Sequence, residues 1–189
     1  MNEMIKEIKK EYTELELKRI RYTLTVFYYE ITKLILLIVI FSFAGKLKSL
    51  LMCIAVIMPV RVFSGGLHFN HYWSCFLFTL LFFTTPIFIF GNITIPASCE
   101  VISLCAITLL IWLIGPISSA KRPTPTYNNY QKFRYITVLF LSGYILCVLL
   151  LPNMPYRTPV YWIIVLHFIQ LCLAHIQAFS QKRERYIKE

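Results

Sequence analysis

The sequence predicts an all-α, polytopic integral membrane helical bundle, and three observations carry that prediction: composition, the length of the apolar runs, and the placement of the basic residues. Of 189 residues, 58% are hydrophobic, 16% are aromatic and 15% are charged, against about 25% charged in ordinary soluble domains. Six apolar runs follow one another, at roughly 24–44, 47–60, 72–90, 101–117, 136–151 and 160–177. A bilayer core about 30 Å thick is crossed by a helix of about 20 residues. These runs and their connections take up most of the chain, so 1–189 reads as a single membrane domain with little room for a soluble one.

The elements follow in order. Within 1–23, Ile5, Ile8, Tyr12 and Leu15 recur at steps of three and four opposite Glu and Lys, the pattern of an amphipathic interfacial helix. Five Glu offset six Lys and Arg there, which weakens attraction to anionic lipid, so a solvated helix leading into the first span fits as well. This start resembles neither a cleavable signal peptide nor a transit peptide, and the spans are expected to insert the chain. Inside the first run, Glu30 and Lys33 are spaced to pair and to reach the interface. The second and fifth runs are short. They leave two architectures open: six spans, or four spans with two re-entrant hairpins. Residues 178–189 form a basic tail.

Cytoplasmic segments of membrane proteins carry the Lys and Arg excess. With six spans, the N-terminal tail, Arg61, the 118–135 connection and the C-terminal tail hold fifteen basic residues, and the alternate connections hold three, Lys46, Lys48 and Arg157. Both termini and the 61–71 connection are therefore expected in the cytoplasm of a multi-pass cell-membrane protein. The net charge of +10 is a topology signal rather than a nucleic-acid footprint, and no nucleic-acid partner is expected.

Inventory limits the chemistry. All nine acidic residues are Glu, which excludes an Asp dyad and a Ser-His-Asp triad. No HExxH occurs, the six Cys contain no CxxC, and His167 and His175, at i and i+8 of the last run, have no acidic partner nearby. No metal site, cofactor or disulfide framework is expected. Cys53, Cys99, Cys105, Cys147 and Cys172 read as packing residues.

The segment from Arg61 to Cys75 departs from the rest. Gly65-Gly66 breaks helix and admits positive φ, so it reads as a turn at the membrane edge. Asn70 is placed to cap the helix of the third run, which would set Cys75 in its first two turns, where the helix dipole favours a thiolate. A His nearby then completes a nucleophile and base pair. His71 lies four residues before Cys75, on one helix face. His68 lies seven before it, about 10.5 Å along a continuous helix, and serves only if it precedes the helix and folds back. Spacing alone leaves both open.

The chain resembles the AgrB family, accessory gene regulator membrane endopeptidases that process cyclic-peptide pheromone precursors in Gram-positive bacteria. The resemblance rests on Arg61, Gly66, His68 and Cys75 in an RxxxxGxH-x6-C pattern, on the later basic segment Gly115-Pro116-Ile117-Ser118-Ser119-Ala120-Lys121-Arg122-Pro123, and on length and run number. Gly115 stands where the family usually has Ala. The resemblance implies a thiol protease, a hydrolase of quorum sensing, with a Cys75–His68 dyad that releases the precursor's C-terminal tail through an acyl-enzyme thioester and supports thiolactone or lactone closure. It selects His68 over His71. It further implies a precursor with an amphipathic leader and an acidic tail as partner, beside the lipid bilayer and a second copy of the chain. Arg61, Gly65 and Gly66 then support the site, and Lys121 and Arg122 become candidates for docking the acidic tail. The rival reading is a small peptide transporter or exporter; the scarcity of charge, Gly and Pro in the middles of the runs counts against it.

Overall fold

A computed structural model describes residues 14–67, 71–117, 127–151 and 153–188. These residues are helical apart from short turns, with no strand among them, and the chain divides into two compact units, Met1–Gly45 and Lys46–Glu189.

The first unit holds α1, Glu14–Phe43, a 30-residue helix that runs unbroken from charged sequence into the first apolar run. Lys33 Nζ meets Glu30 Oε1 at 2.5 Å, one turn away, as the spacing predicts. Thr25 and Thr32 donate their hydroxyls to the carbonyls of Arg21 and Tyr29. That satisfies them within the helix, as an apolar surround requires. The helix closes on Gly45 at φ 66°. Ile5, Ile8 and Tyr12, the start of the predicted amphipathic face, lie outside the described residues.

The second unit holds α2 (Leu47–Ser64), α3 (Tyr72–Thr84), α4 (Ala97–Ile114), α5 (Tyr127–Leu150) and α6 (Arg157–Lys188). Five helical stretches among the described residues are long and apolar enough to cross a membrane: Leu47–Ser64, Tyr72–Asn92, Ala97–Ile114, Asn128–Leu150 and Arg157–Ser180. Successive members run in alternate directions. The start of α4 meets the start of α6 through Glu100 and Arg157, at 2.6 Å, and Gly115 after α4 meets His175 far along α6, so α4 and α6 are parallel. Between them α5 runs back, with Arg134 at Trp112 and Tyr144 at Arg157.

Helix boundaries differ from the apolar runs for local reasons. The short second and fifth runs belong to unbroken helices of 18 and 24 residues that recruit polar flanks, so neither contains the break a re-entrant hairpin needs. Pro86, which lacks an N–H, sits in a π-helical turn, Thr85–Ile89, through which the third span passes before a 3-10 turn, Phe90–Asn92. The fourth run ends as helix at Ile114 because Gly115 breaks it. The expected basic tail instead continues α6 through Lys188.

The core is narrow and α6 lies at its centre. Half of the α6 span is buried, against 22–33% of the others. On α2, Leu50, Cys53, Ile57 and Val60 form a buried stripe at helical spacing; on α6, Val160, Ile163, Ile164, His167, Gln170, Leu171 and Ala174 do the same. Leu109, Leu113, Leu139, Leu149, Leu173 and Ile176 face outward, the inversion that a lipid solvent rewards. Of the cysteines assigned to packing, Cys53 is buried and Cys172 half-buried, whereas Cys99, Cys105 and Cys147 lie on the outer surface. There a thiol is a small apolar group facing lipid rather than core filling.

Candidate active site

The site is built where α2 and α4 end. Both are 18-residue helices, and each stops at a glycine in nearly the same conformation: Gly65 at φ 81°, ψ −157°, and Gly115 at φ 77°, ψ 174°. That region is essentially closed to residues with a Cβ. Each glycine N–H closes the last helical turn, Gly65 on the carbonyl of Arg61 at 3.0 Å and Gly115 on that of Ile111 at 2.9 Å. The two segments leaving the helices lie against each other. The Ile117 N–H donates to the Ser64 carbonyl at 3.0 Å, and a Cβ on Gly65 would overlap the Ile117 carbonyl.

Cys75 stands on the next element. Its N–H donates to the carbonyl of His71 at 3.1 Å, so His71 is the residue that starts α3 and Cys75 lies in the first turn, half-buried. This corrects the expected cap: the N-cap position is His71, extended at φ −100°, ψ 136°, and no side chain caps the helix. Asn70 itself lies outside the described residues. His71 is exposed. Thr79 donates to the Cys75 carbonyl at 2.8 Å. Seven residues on, Phe82 lies under the Arg61 guanidinium, 5.6 Å from ring centroid to Cζ, and Arg61 Nε is 3.9 Å from the point where a Gly66 Cβ would sit. Arg61 therefore ties the Gly65-Gly66 turn to the interior of the Cys75 helix.

Behind the turn lies a polar group that the sequence does not announce. Ser64 donates its hydroxyl to the Val60 carbonyl at 2.8 Å, and its Oγ is 2.8 Å from Nε2 of His167. A serine has one proton; with that proton on Val60, Oγ accepts from His167, and the imidazole carries its hydrogen on Nε2. Nδ1 is then a bare acceptor, and it has no partner. One turn on, the amide of Gln170 is also buried with neither Nε2 nor Oε1 bonded, and its Nε2 is 3.1 Å from the Gly66 Cβ position. His167 and Gln170 are 0% and 2% exposed. His175, one face-repeat further along α6, contacts the Gly115 carbonyl at 3.2 Å.

Thus the structure gathers Arg61, Gly65 and Gly66 at one turn and sets Cys75 at the start of the following helix. His68, Lys121 and Arg122 lie outside the described residues. Among the described residues no cluster of three or more His, Cys or Glu is placed to hold a metal ion. Sequence reasoning missed Ser64, His167 and Gln170. Their signal is a His and a Gln three residues apart on the face of α6 that carries the apolar stripe, where polar groups are rare.

Comparison with known proteins gives a consistent picture. The model of the family described as Accessory gene regulator B matches residues 1–180. A relative, the Accessory gene regulator protein B of Staphylococcus carnosus (strain TM300), is 24% identical over 98 residues, a stretch that covers 52% of this chain and about half, 50%, of that protein. No solved structure matches the chain. The Arg61-to-Cys75 segment, set between helices of a membrane bundle and matched across nearly the whole length, places the chain in the Accessory gene regulator B family.

Proposed function

We propose that this chain is a membrane cysteine endopeptidase that cleaves the C-terminal tail from a quorum-sensing pheromone precursor and holds the remainder as an acyl-enzyme ready for ring closure. The observation that carries the reading is the position of Cys75. It is a half-buried thiol in the first turn of α3, just after a glycine turn that bends the chain back beneath it. The family name of the matching model and of the staphylococcal relative supports the same direction.

In this mechanism the Cys75 thiolate attacks the scissile carbonyl and His68 takes the thiol proton. His68 passes that proton to the leaving amine, the C–N bond breaks, and a thioester to Cys75 remains. A Cys thiol or Ser hydroxyl of the precursor then attacks the thioester, closing a thiolactone or lactone and returning Cys75 to its thiol. A helix's first-turn N–H groups have no intrahelical acceptor, so the N-terminus of α3 supplies donors for the oxyanion. Positive-inside placement puts this site and both termini on the cytoplasmic side. Lys121 and Arg122 dock the acidic tail of the precursor, and a second copy of the chain accompanies the first.

The test is co-expression with the precursor. Cys75→Ala and His68→Ala each abolish cleavage while the protein still inserts, and His71→Ala leaves cleavage intact. An active Cys75→Ala variant, or a wild-type chain that forms no acyl adduct on Cys75, overturns the reading.

A further inference from the structure

The polar face of α6 behind the glycine turn has no task in that mechanism. Ser64 fixes the His167 tautomer, leaving Nδ1 as a bare acceptor, and Gln170 presents a bare donor and a bare acceptor from one amide. In an apolar bundle, unpaired polar atoms are costly and persist where something else pairs with them. His167 and Gln170 stand at i and i+3, about 5–6 Å apart between Cβ atoms. An extended peptide presents its backbone groups to one side about every 6.6–7 Å. One donor and two acceptors at this spacing are complementary to the C=O and N–H groups along one edge of such a peptide. The absence of a side chain at Gly66 keeps Gln170 Nε2 reachable, since a Cβ there would crowd it at 3.1 Å.

We propose that Gln170 and His167 form a backbone-binding subsite for the peptide substrate, which holds an extended stretch of the precursor a few residues from the bond that Cys75 attacks. The inference rests on the peptidase reading and extends it. Gln170 Nε2 donates to a substrate carbonyl, Gln170 Oε1 and His167 Nδ1 accept substrate N–H groups, and Ser64 holds the imidazole in the accepting form. The link to the reacting thiol is structural: Gln170 and Arg61 both reach Gly66, and Arg61 lies over Phe82 of the Cys75 helix. Phe82 is two turns from Cys75, about 10.5 Å at 1.5 Å per residue, the reach of about three extended residues. Recognition through main-chain groups accepts many side chains at these positions, so the subsite reads the shape of the substrate rather than its letters.

The experiment uses the full chain in lipid nanodiscs. The probe is a synthetic precursor, with amphipathic leader, ring-closing Cys and acidic tail, taken from a short reading frame beside the gene. A companion set carries single amide-to-ester replacements at each bond within three residues of the scissile one, which is itself left unchanged. In wild type, one ester in this window lowers kcat/KM about tenfold, the loss of a single buried hydrogen bond. In Gln170→Leu, kcat/KM for the all-amide precursor falls about tenfold, and the same ester then costs less than about twofold. A purely structural role for Gln170 would leave the ester profile of the variant parallel to that of wild type. Labelling of Cys75 by a small maleimide at the wild-type rate shows that Gln170→Leu keeps its fold, and His167→Asn serves as a second variant with a shifted ester position. Parallel ester profiles in both variants overturn the subsite. Failure of wild type to acylate Cys75 overturns the peptidase reading instead.

Discussion

The turns after α2 and α4 share a backbone and differ in what surrounds it. Each follows an 18-residue helix, each begins with a glycine in the same region, and each feeds an extended segment bonded to the other. After Gly65 comes a second glycine, and the space it leaves is bordered by Arg61 and the unbonded amide of Gln170. After Gly115 comes Pro116, and the space is filled: the Tyr130 hydroxyl occupies the place of a Cβ, His175 contacts the Gly115 carbonyl, and Arg134 donates to the Trp112 carbonyl. One turn is left polar and unsatisfied, the other is plugged. The same chain geometry thus serves recognition in one place and anchoring in the other, and the flanking side chains decide which.

The largest effect should come from removing the shared backbone. Gly65→Ala forces a Cβ into a conformation costing about 1–3 kcal/mol and drives it against the Ile117 carbonyl, a backbone atom that cannot be trimmed. With the Ile117–Ser64 hydrogen bond lost as well, the bundle should lose about 2–4 kcal/mol. Gly115→Ala carries the same strain, but its obstacle is a side chain. Tyr130→Phe in the Gly115→Ala background should therefore recover about 1 kcal/mol, although ring carbon Cζ at 3.0 Å keeps the site tight. Unfolding in mixed micelles at increasing dodecyl sulfate measures all three. Equal rescue of both glycine variants by Tyr130→Phe would show that the two turns are not separately supported.

Much of this was legible in the sequence, and the illegible part has one cause. Apolar runs located the spans, Gly65-Gly66 announced its turn, and Glu30 with Lys33 announced their ion pair, because each is a local pattern. Helix ends at Ser64 and Tyr127 were not readable from hydropathy, since polar residues continue a helix as readily as they end it. The 103-residue separation of Ser64 and His167 hides their hydrogen bond. His167 and His175 looked like one histidine face lacking a metal partner; packing gives them different neighbours, Ser64 for one and the Gly115 carbonyl for the other. Glu100 was also missed. It is buried against Arg157, which the charge count had treated as an exposed loop residue. Residues brought together by helix packing leave no mark on the periodicity of either helix.

A smaller effect should separate activity from stability within the Gly65 turn. Gly66 is buried, but its conformation is not in the positive-φ region, and its nearest neighbour is the end of a flexible side chain. Gly66→Ala should change stability by less than about 1 kcal/mol and lower processing of the precursor about tenfold, a factor equal to about 1.4 kcal/mol. The check is a pair of measurements on one preparation, denaturation midpoint and cleavage rate. A variant that loses both together would place Gly66 with Gly65 and Gly115 as backbone support.

The smallest effect concerns the two arginines, one at each turn. Arg134 lies over the Trp112 ring, 4.6 Å from Cζ to centroid, and donates to the Trp112 carbonyl in the last turn of α4. A planar guanidinium does both at once; an ammonium gives up the stacking and reaches the carbonyl only as a point charge. Arg134→Lys should therefore cost about 1 kcal/mol of stability and leave the cleavage rate of the folded fraction unchanged, because nothing at the plugged turn faces the thiol. Arg61→Lys removes the guanidinium that spans Gly66 and Phe82, and it should lower cleavage by more than its effect on stability accounts for. If the two exchanges give the same ratio of activity loss to stability loss, the difference between an open turn and a plugged one carries no functional meaning. If only Arg61→Lys departs from that ratio, recognition is assigned to the Gly65 side of two otherwise matched helix ends.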